Sequence, residues 1–189
     1  MSDAKIRLAA PSFGVDDRQT LNLGCGLKHV AEAINLDLTP ETNPDVVHDL
    51  SRFPWPFPTQ RFSEVLAFDV IEHLDDFIAT MEEIHRVAQD KALVRITVPH
   101  FSCANAFTDP THRRLFGYFS FDYVTGESEI EHYTRARFRK RYCRLIFYPS
   151  LLNRLISRLA NRYPAAYERR WTWMFPAWYL YLELEVQKD

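Results

Sequence analysis

A strand, a helix and a second strand follow one another near the middle of this 189-residue sequence. Residues 64–68 form a short apolar run, and residues 93–98 form a β-branched run that ends at Pro99. Between them, apolar residues recur at helical spacing over 75–88, with Asp75 as the predicted N-cap. Two strands joined by a helix in this way predict a right-handed βαβ unit, and therefore a parallel sheet in an α/β fold.

Further strands are predicted on both sides of this unit. Residues 20–23 and 33–37 have strand patterns upstream, and residues 137–147 and 178–186 have them downstream. No repeat or linker separates the two halves. We therefore expect residues 1–189 to form a single domain.

The connections in the first half are short. The first crossover leaves room for a helix of one or two turns at most, and residues 38–45 are fewer than a parallel crossover normally needs. Residues 52–58 contain three prolines, which predicts an extended loop. We expect a sheet on which loops replace helices on one face.

Composition argues against a membrane-spanning or secreted protein. The longest apolar run, residues 174–182, is interrupted by Pro176 and is much shorter than the roughly 20 residues of a spanning helix. The first residues lack the apolar stretch of a secretion signal. The three cysteines are odd in number and far apart. We expect a cytoplasmic protein with free thiols.

Charge is unevenly distributed along the chain. The formal net charge is −2, but residues 135–170 carry eleven basic residues against Glu168 alone, a local net charge of +10. Such a block can bind an anionic substrate or nucleic acid, or it can be a solvated face of the protein's own acidic domain. Within it, residues 150–162 form an amphipathic helix with an arginine stripe, interpreted as a packed cap or as a helix lying on anionic lipid.

A glycine-containing turn follows the first strand. Gly24, Cys25 and Gly26 lie where the carboxyl end of a parallel strand forms a ligand-binding crevice, and glycine there lets backbone approach the ligand. Asp37 ends the next strand, where a carboxylate can accept hydrogen bonds from ribose hydroxyls. Asp49 follows the third predicted strand and could reach a polar edge of the same ligand.

Five short segments follow one another in a recognisable order within about residues 19–100. They are Leu21–Gly26, Ile34-Asn35-Leu36-Asp37, Val47-His48-Asp49-Leu50, Ile71-Glu72-His73-Leu74 and Glu83-Ile84-His85-Arg86-Val87. Together they resemble the motifs of class I S-adenosylmethionine-dependent methyltransferases, close to the small bacterial type-11 kind. The resemblance implies a Rossmann-like, mostly parallel sheet of seven strands with an antiparallel last strand.

The resemblance also implies S-adenosylmethionine as cofactor. The turn at 24–26 would approach its methionine part, Asp37 would hold the ribose, Asp49 with Leu50 would border the adenine, and Asp69 would face the methionine end. The sequence departs from the family at Lys28, where a third glycine is usual, and Asp37 follows Gly26 after only eleven residues.

Candidate catalytic residues follow the fourth and fifth strands. His100 and His112 can take a proton near neutral pH, Asp109 could orient one of them, and the neighbouring arginines Arg113 and Arg114 could bind an anionic acceptor. Each also has a structural reading, since Asp109-Pro110 is an ordinary turn opening. Glu72-His73 lies where family members reach the substrate, and we take His73 as the candidate there.

We predict no metal site from the sequence. Metal-ligand residue types do occur in the second half, but their spacing matches no short-range zinc pattern. The residues of those types are His100, Cys103, Asp109, His112 and His132.

The function predicted from the sequence is methyl transfer to a small or lipid-like, anionic acceptor. Residues 101–132, together with a basic amphipathic cap at residues 150–176, would form a lid. An acceptor pocket would be lined by aromatic side chains that could otherwise be plain core: Trp171, Trp173, Phe175, Trp178 and Tyr179. Two alternatives stay open: an RNA methyltransferase that uses residues 135–170, and a partner-binding protein on a degenerate fold, which Lys28 motivates.

Overall fold

The computed structural model describes residues 17–126 and 134–188, which form one mixed sheet with helices concentrated in the second half of the chain. The strands are β1 (Thr20–Leu23), β2 (Ala33–Asp37), β3 (Val46–Val47), β4 (Phe62–Phe68), β5 (Ala88–Pro99), β6 (Arg137–Ile146) and β7 (Tyr179–Gln187). The α-helices are α1 (Phe77–Val87), α2 (Asn105–Thr108), α3 (Asp122–Thr125), α4 (Leu151–Arg162) and α5 (Pro164–Arg170).

The strand order is β3-β2-β1-β4-β5-β7-β6. Strands β1 to β5 pair in parallel, whereas β7 is antiparallel to both of its neighbours, so it alone runs in reverse. The predicted seven-stranded sheet with an antiparallel last strand is confirmed. The chain order reverses between β1 and β4, and in open α/β sheets ligands bind outside the carboxyl ends of the strands at such a point.

Loops replace helices in the first half, as predicted, but the short helix expected in the first crossover is absent. Two buried side chains, Asn22 and Asn35, hold that crossover instead. Asn35 accepts from the Val30 backbone N–H at 2.9 Å, and Asn22 donates to the Lys28 carbonyl at 3.1 Å. These bonds satisfy backbone groups that a helix would have paired internally. Between β2 and β3 there is only a 3-10 turn, Pro40–Thr42.

Helix α1 begins one residue later than predicted. Its N-cap is Asp76, whose carboxylate accepts from the Ala79 N–H at 2.9 Å. Asp75 was the predicted cap and instead pairs with Arg113. A carboxylate two positions before the first helical residue lies outside the capping geometry and is free to bind a distant partner.

The proline-rich segment of residues 52–58 is a loop of successive bends without helix or strand, and two of its three aromatic residues belong to the core. Trp55 and Phe57 are buried. The Trp55 N–H donates to Glu83 Oε1 at 2.6 Å, and Glu83 also pairs with Arg86 at 2.6 Å. A buried carboxylate on α1 therefore fixes a loop that has no regular structure of its own.

Helix α4 turns most of its apolar side chains to solvent. Its N-cap is Ser150, and only Ile156 and Ala160 pack towards the core. Leu151 is 85% exposed and Leu155 is 58% exposed, with Leu152 and Leu159 in the same range. Helix α4 therefore contacts the core along a narrow line only, and its wider stripe of leucine side chains faces outward. None of the helices in the described ranges is long and apolar enough to cross a membrane.

Candidate functional site

A cleft of about 520 Å³ opens at the carboxyl ends of β1, β2, β3 and β4, at the point where the strand order reverses. Five of the predicted ligand-binding residues line it: Gly24, Asp37, Asp49, Leu50 and Asp69. The sequence analysis assigned Gly24, Asp37 and Asp49 to one ligand from their positions at strand ends, and Leu50 and Asp69 through the family resemblance. The structure places all five around one cleft. His48 and Arg113 complete opposite parts of the wall.

The turn after β1 requires glycine at its first position. Gly24 has φ +59°, a left-handed conformation, and a Cβ there would lie 2.4 Å from the Cγ2 of Val70. Gly26 also has a positive φ of +48°, but a Cβ there would meet nothing within 4 Å. Gly24 thus lets the turn pack against the segment after β4, whereas Gly26 leaves open space beside the backbone.

Asp37 closes this turn from the end of β2. Its Oδ2 accepts from the Gly26 N–H at 2.8 Å, and its Oδ1 accepts from the Thr39 N–H at 2.9 Å. Each carboxylate oxygen has two acceptor sites, so both can accept a further bond from a ligand in the cleft. The turn and the carboxylate are therefore held in fixed relation before any ligand arrives.

The remaining predicted contacts differ in accessibility. Asp49 lies at the cleft wall, accepting from the Ser51 N–H at 2.9 Å, and Leu50 is buried behind it. Cys25 is buried and its N–H donates to the Leu36 carbonyl at 3.0 Å. Burial, followed by the nearby Asp37 charge, raises the pKa of the Cys25 thiol. Cys25, predicted with Gly24 and Gly26 to bind the ligand, is not among the residues that line the cleft.

Asp69 stands at the end of β4 with φ +56°, a conformation that is uncommon for a residue with a side chain. Its Oδ1 accepts from the Thr97 hydroxyl at 2.8 Å, and its Oδ2 lies 3.6 Å from the Nζ of Lys28. Lys28, the departure from the family pattern, therefore reaches across the glycine turn towards Asp69. The strained backbone places this carboxylate between two clefts.

A second cleft, of about 540 Å³, adjoins the first and shares Asp69 and His73 with it. It lies beyond β4 and β5 and is polar along one side. Its other lining residues are Glu72, Pro99, Asn105, Thr108, Asp109, Pro110, His112 and Tyr179. Two molecules, one bound in each cleft, would come into contact beside Asp69 and His73.

Glu72 is the residue of this cleft that the sequence prediction left out. Its side chain is only 1% exposed, and neither carboxylate oxygen has a hydrogen-bond partner among the described residues. Burial, reinforced by the charges of Asp69 and Asp109, raises its pKa to about 8. The Glu72-His73 pair was visible in the sequence, but nothing in the sequence showed which of the two side chains would be buried.

The loop 109–114 brings the predicted histidine and aspartate together. The backbone N–H of Arg113 donates to the Glu72 carbonyl at 2.8 Å, which docks the loop on the turn after β4. The rings of His73 and His112 then lie 4.7 Å apart. Asp109 Oδ2 is 4.0 Å from His112 Nε2.

Hydrogen bonds order these groups further. The Thr111 hydroxyl lies 2.6 Å from Asp109 Oδ1 and 2.9 Å from His73 Nδ1. The Thr111 hydroxyl and backbone N–H lower the pKa of Asp109. Burial, followed by the neighbouring His112, lowers the pKa of His73. His73 is therefore held as a neutral imidazole beside an anionic carboxylate.

His100, the other predicted catalytic histidine, lies apart from this group. It is fully buried, with Nε2 3.1 Å from Glu168 Oε1 on α5 and Nδ1 2.7 Å from the Ser102 hydroxyl. Its ring packs on Phe101. These contacts tie α5 to the end of β5, and they leave His100 outside the lining of both clefts.

Other predicted groupings are rearranged. Arg113 and Arg114 bind Asp75 and its backbone carbonyl, rather than pointing freely at an acceptor. Cys103 is buried, with its N–H donating to the His100 carbonyl, and His132 lies outside the described residues. Trp171 and Trp173, predicted to line an acceptor pocket, are respectively 49% and 72% exposed.

Solved structures share this architecture at low sequence identity. An S-adenosylmethionine-dependent methyltransferase from Archaeoglobus fulgidus superposes with a TM-score of 0.62 and 15% identity, over 89% of this chain and 86% of that chain. Another from Mesorhizobium loti gives a TM-score of 0.55 and 11% identity, over 88% and 90%. The [4+2]-cyclase SpnF gives a TM-score of 0.54 and 16% identity, over 90% and 75%.

No protein-family model matches the sequence, and no curated protein matches it significantly. The structural likeness shows the fold alone: the chain has the class I methyltransferase fold. The fold implied by the sequence motifs is therefore confirmed. The cyclase shares that fold under a different name, so the reaction has to be argued from the site.

Proposed function

We propose that this protein binds S-adenosylmethionine in the cleft beside β1 and β2 and transfers its methyl group to an acceptor in the adjoining cleft. The observation that carries the proposal is the meeting of the two clefts at Asp69 and His73. One cleft has a glycine turn and a strand-end carboxylate, and the other has titratable side chains. The sulfonium and a nucleophile would be brought side by side there.

The residues of the first cleft fit this cofactor part by part. Asp37 would accept hydrogen bonds from the ribose hydroxyls while holding Gly26. Asp49 and Leu50 supply one acceptor and one apolar surface for the adenine. Lys28 and Asp69 carry opposite charges at the glycine turn, complementary to the carboxylate and ammonium groups of the methionine part.

When bound, the cofactor would supply an electrophilic methyl group on its sulfonium: the bond from the nucleophile to the methyl carbon forms in line as the bond to sulfur breaks, and S-adenosylhomocysteine is the leaving group. The chain mainly has to position the acceptor, since proximity and alignment can supply a large part of the rate enhancement. His73, neutral and facing the shared boundary, is the group placed to accept a proton from the acceptor. Asp109 orients it through Thr111.

The first test is calorimetry of the full chain with S-adenosylmethionine and with S-adenosylhomocysteine. We expect one site for each, with dissociation constants at or below about 1 mM, and weaker binding of adenosine, which lacks the charged end. Circular dichroism on the same sample confirms folding. Folded protein that gives no heat with either ligand would contradict the proposal and favour the degenerate partner-binding alternative.

For the acceptor we propose a lipid-like molecule, with helix α4 resting on an anionic membrane surface. The outward apolar stripe of α4 is continuous with an apolar groove of about 410 Å³ between α4 and α5, lined by Leu159, Tyr163, Trp171 and neighbouring apolar residues. Amphipathic helices with leucine and tryptophan on one face and arginine on the other bind membrane interfaces.

The opposite side of α4 supplies the charge. Arg144, Arg154 and Arg158 line a groove of about 600 Å³ between β6 and α4. Within residues 17–126 and 134–188 these three guanidinium groups form no ion pair, in contrast to Arg139 and Arg141, which pair with Glu185. Arg144 of β6 and the α4 arginines Arg154 and Arg158 thus have no acidic partner in the part of the chain that the structure describes, and phosphate-bearing headgroups fit them.

Vesicle co-sedimentation tests this contact. We expect binding to vesicles containing anionic lipid and little binding to neutral vesicles. Replacing Leu151 and Leu155 together by serine should weaken the partition about tenfold or more, whereas Leu115→Ser, at an exposed leucine elsewhere, should leave it unchanged. Absence of vesicle binding together with salt-sensitive binding of an RNA oligonucleotide would overturn the lipid proposal and support the RNA alternative.

A further inference from the structure

Three side chains of the second cleft could hold one metal ion. Glu72, His73 and His112 each offer a ligand atom, and these atoms all lie within 4.8 Å of one another. Glu72 and His73 come from the 3-10 turn after β4, and His112 comes from the docked loop 109–114. Two distant parts of the chain thus present imidazole and carboxylate groups to the same point.

The state of Glu72 is an independent observation that points to a ligand. Its carboxylate is almost completely buried, and its two oxygens have no partner in the described part of the chain. Buried polar groups are otherwise hydrogen-bonded, and buried charges are paired or bind metals. A cation in the cleft would satisfy both oxygens.

The hydrogen bonds of the two histidines leave one nitrogen of each ring available. His112 Nδ1 lies 3.3 Å from the Ala106 carbonyl, which can only accept, so Nδ1 carries the proton. The Thr111 hydroxyl donates to the carboxylate of Asp109 and so accepts from His73 Nδ1. Both rings therefore have an unprotonated Nε2, oriented as in metal sites whose histidines donate their other N–H to an oxygen.

We propose that Glu72, His73 and His112 bind a divalent transition-metal ion through one carboxylate and two imidazoles. This ligand set suits Zn²⁺ with an open coordination position, or Mn²⁺, Fe²⁺ and Co²⁺ in a facial arrangement. The site adjoins the cofactor cleft and shares His73 with its wall, but none of its three ligands is assigned to holding the cofactor. Its role rests on the proposed function, because the open positions would face the acceptor.

The acceptor implied by this site is a molecule that ligates through oxygen. A hydroxyl or carboxylate on the metal would lie in the cleft that adjoins Asp69, beside the proposed methyl donor. The metal would then orient the acceptor, and His73 would serve as a ligand in place of a proton acceptor. Asp109, bonded to His73 through Thr111, would be a positioning residue of the site.

The test is titration of the untagged full chain with Co²⁺ after dialysis against EDTA, followed by visible absorption. We expect ligand-field bands that saturate at one equivalent and are removed by Zn²⁺. Glu72→Gln and His112→Gln should each weaken Co²⁺ binding at least tenfold. The matched control His29→Gln removes a histidine that bonds the Thr42 carbonyl, far from the cluster, and should bind Co²⁺ like the unmodified protein.

S-adenosylhomocysteine binding, measured on the same samples, separates the two proposals. Variants that lose Co²⁺ but bind S-adenosylhomocysteine support the metal site and show that they are folded. Saturating Co²⁺ binding that is equal in Glu72→Gln, His112→Gln and unmodified protein overturns the site, as does an unmodified protein that binds S-adenosylhomocysteine and no Co²⁺. Co²⁺ binding without S-adenosylhomocysteine binding overturns the proposed function and leaves the metal site standing.

Discussion

Replacing Asp37 by alanine is expected to weaken S-adenosylmethionine binding about a hundredfold. A hydrogen bond to a charged group contributes about 1.5–3 kcal/mol, and the carboxylate would bind two ribose hydroxyls. Each 1.4 kcal/mol corresponds to about a tenfold change in affinity. The loss includes a positioning effect, since Asp37 also accepts from the Gly26 N–H. Calorimetry with S-adenosylhomocysteine measures the change without turnover.

Glu41→Ala is the matched control for this prediction. Glu41 is an exposed carboxylate in the 3-10 turn just after β2, and it is not among the residues that line the cleft. Its replacement should change affinity by less than about twofold. If Asp37→Ala binds as well as the unmodified protein, the ribose assignment is wrong, and the cleft beside β1 is no longer supported as an adenosyl site.

The first two strands and their site residues were predictable because local patterns determine them. β1 and β2 have the bounds that alternation and the glycine turn predict, and Gly24, Asp37 and Asp69 occur at strand ends, which a parallel sheet brings to one edge. The parallel arrangement of the strands then places these residues close together. A residue at the carboxyl end of a parallel strand needs no long-range information to be placed near its counterparts.

The first crossover was predicted less well because distant contacts decide it. Pattern reasoning assumed that a helix, however short, would satisfy the backbone between β1 and β2. The structure uses Asn22 and Asn35, which are buried at the middle of their strands and bond to each other at 2.9 Å. A polar side chain in an otherwise apolar strand indicates that it hydrogen-bonds inside the protein. Its partner, however, can be identified only when the register of the sheet is known.

The histidines show the same limit. His73 and His112 were both predicted as site residues and lie in contact, but His100, which the sequence favours equally, is directed into the protein. Its partner Glu168 lies 68 positions away on α5, in a helix that the sequence analysis did not separate from the cap. One long-range hydrogen bond thus decides whether a histidine serves a site or secures an element.

Two buried glutamates, Glu72 and Glu83, allow a comparison of how much a buried carboxyl with and without partners changes the free energy of unfolding. The Glu83 carboxylate accepts from the Trp55 N–H and pairs with Arg86, so burial is compensated. Glu72 is equally buried, and in the part of the chain that the structure describes its oxygens have no partner. Residues at functional sites are often held in states that lower stability, because the groups needed for binding are left unsatisfied.

The same substitution should therefore have opposite effects at the two positions. Glu83→Gln leaves Arg86 without its counter-charge and should destabilise the protein by about 2 kcal/mol, because breaking a buried pair strands the remaining charge. Glu72→Gln removes a carboxyl that is ionised in the unfolded chain and, with a pKa of about 8, must take up a proton to be buried at neutral pH. It should stabilise the metal-free protein by about 1–2 kcal/mol, because a neutral amide is buried without this protonation cost.

Thermal unfolding in EDTA at neutral pH measures both changes. At about 2–4 °C per kcal/mol for a chain of this size, the melting temperatures of the two variants should differ by roughly 6–16 °C. A divalent metal should raise the melting temperature of the unmodified protein and leave that of Glu72→Gln nearly unchanged, because a ligand stabilises only the state that binds it. If Glu72→Gln is as destabilising as Glu83→Gln, the Glu72 carboxyl is a structural group with partners of its own, and its assignment to the cleft is wrong.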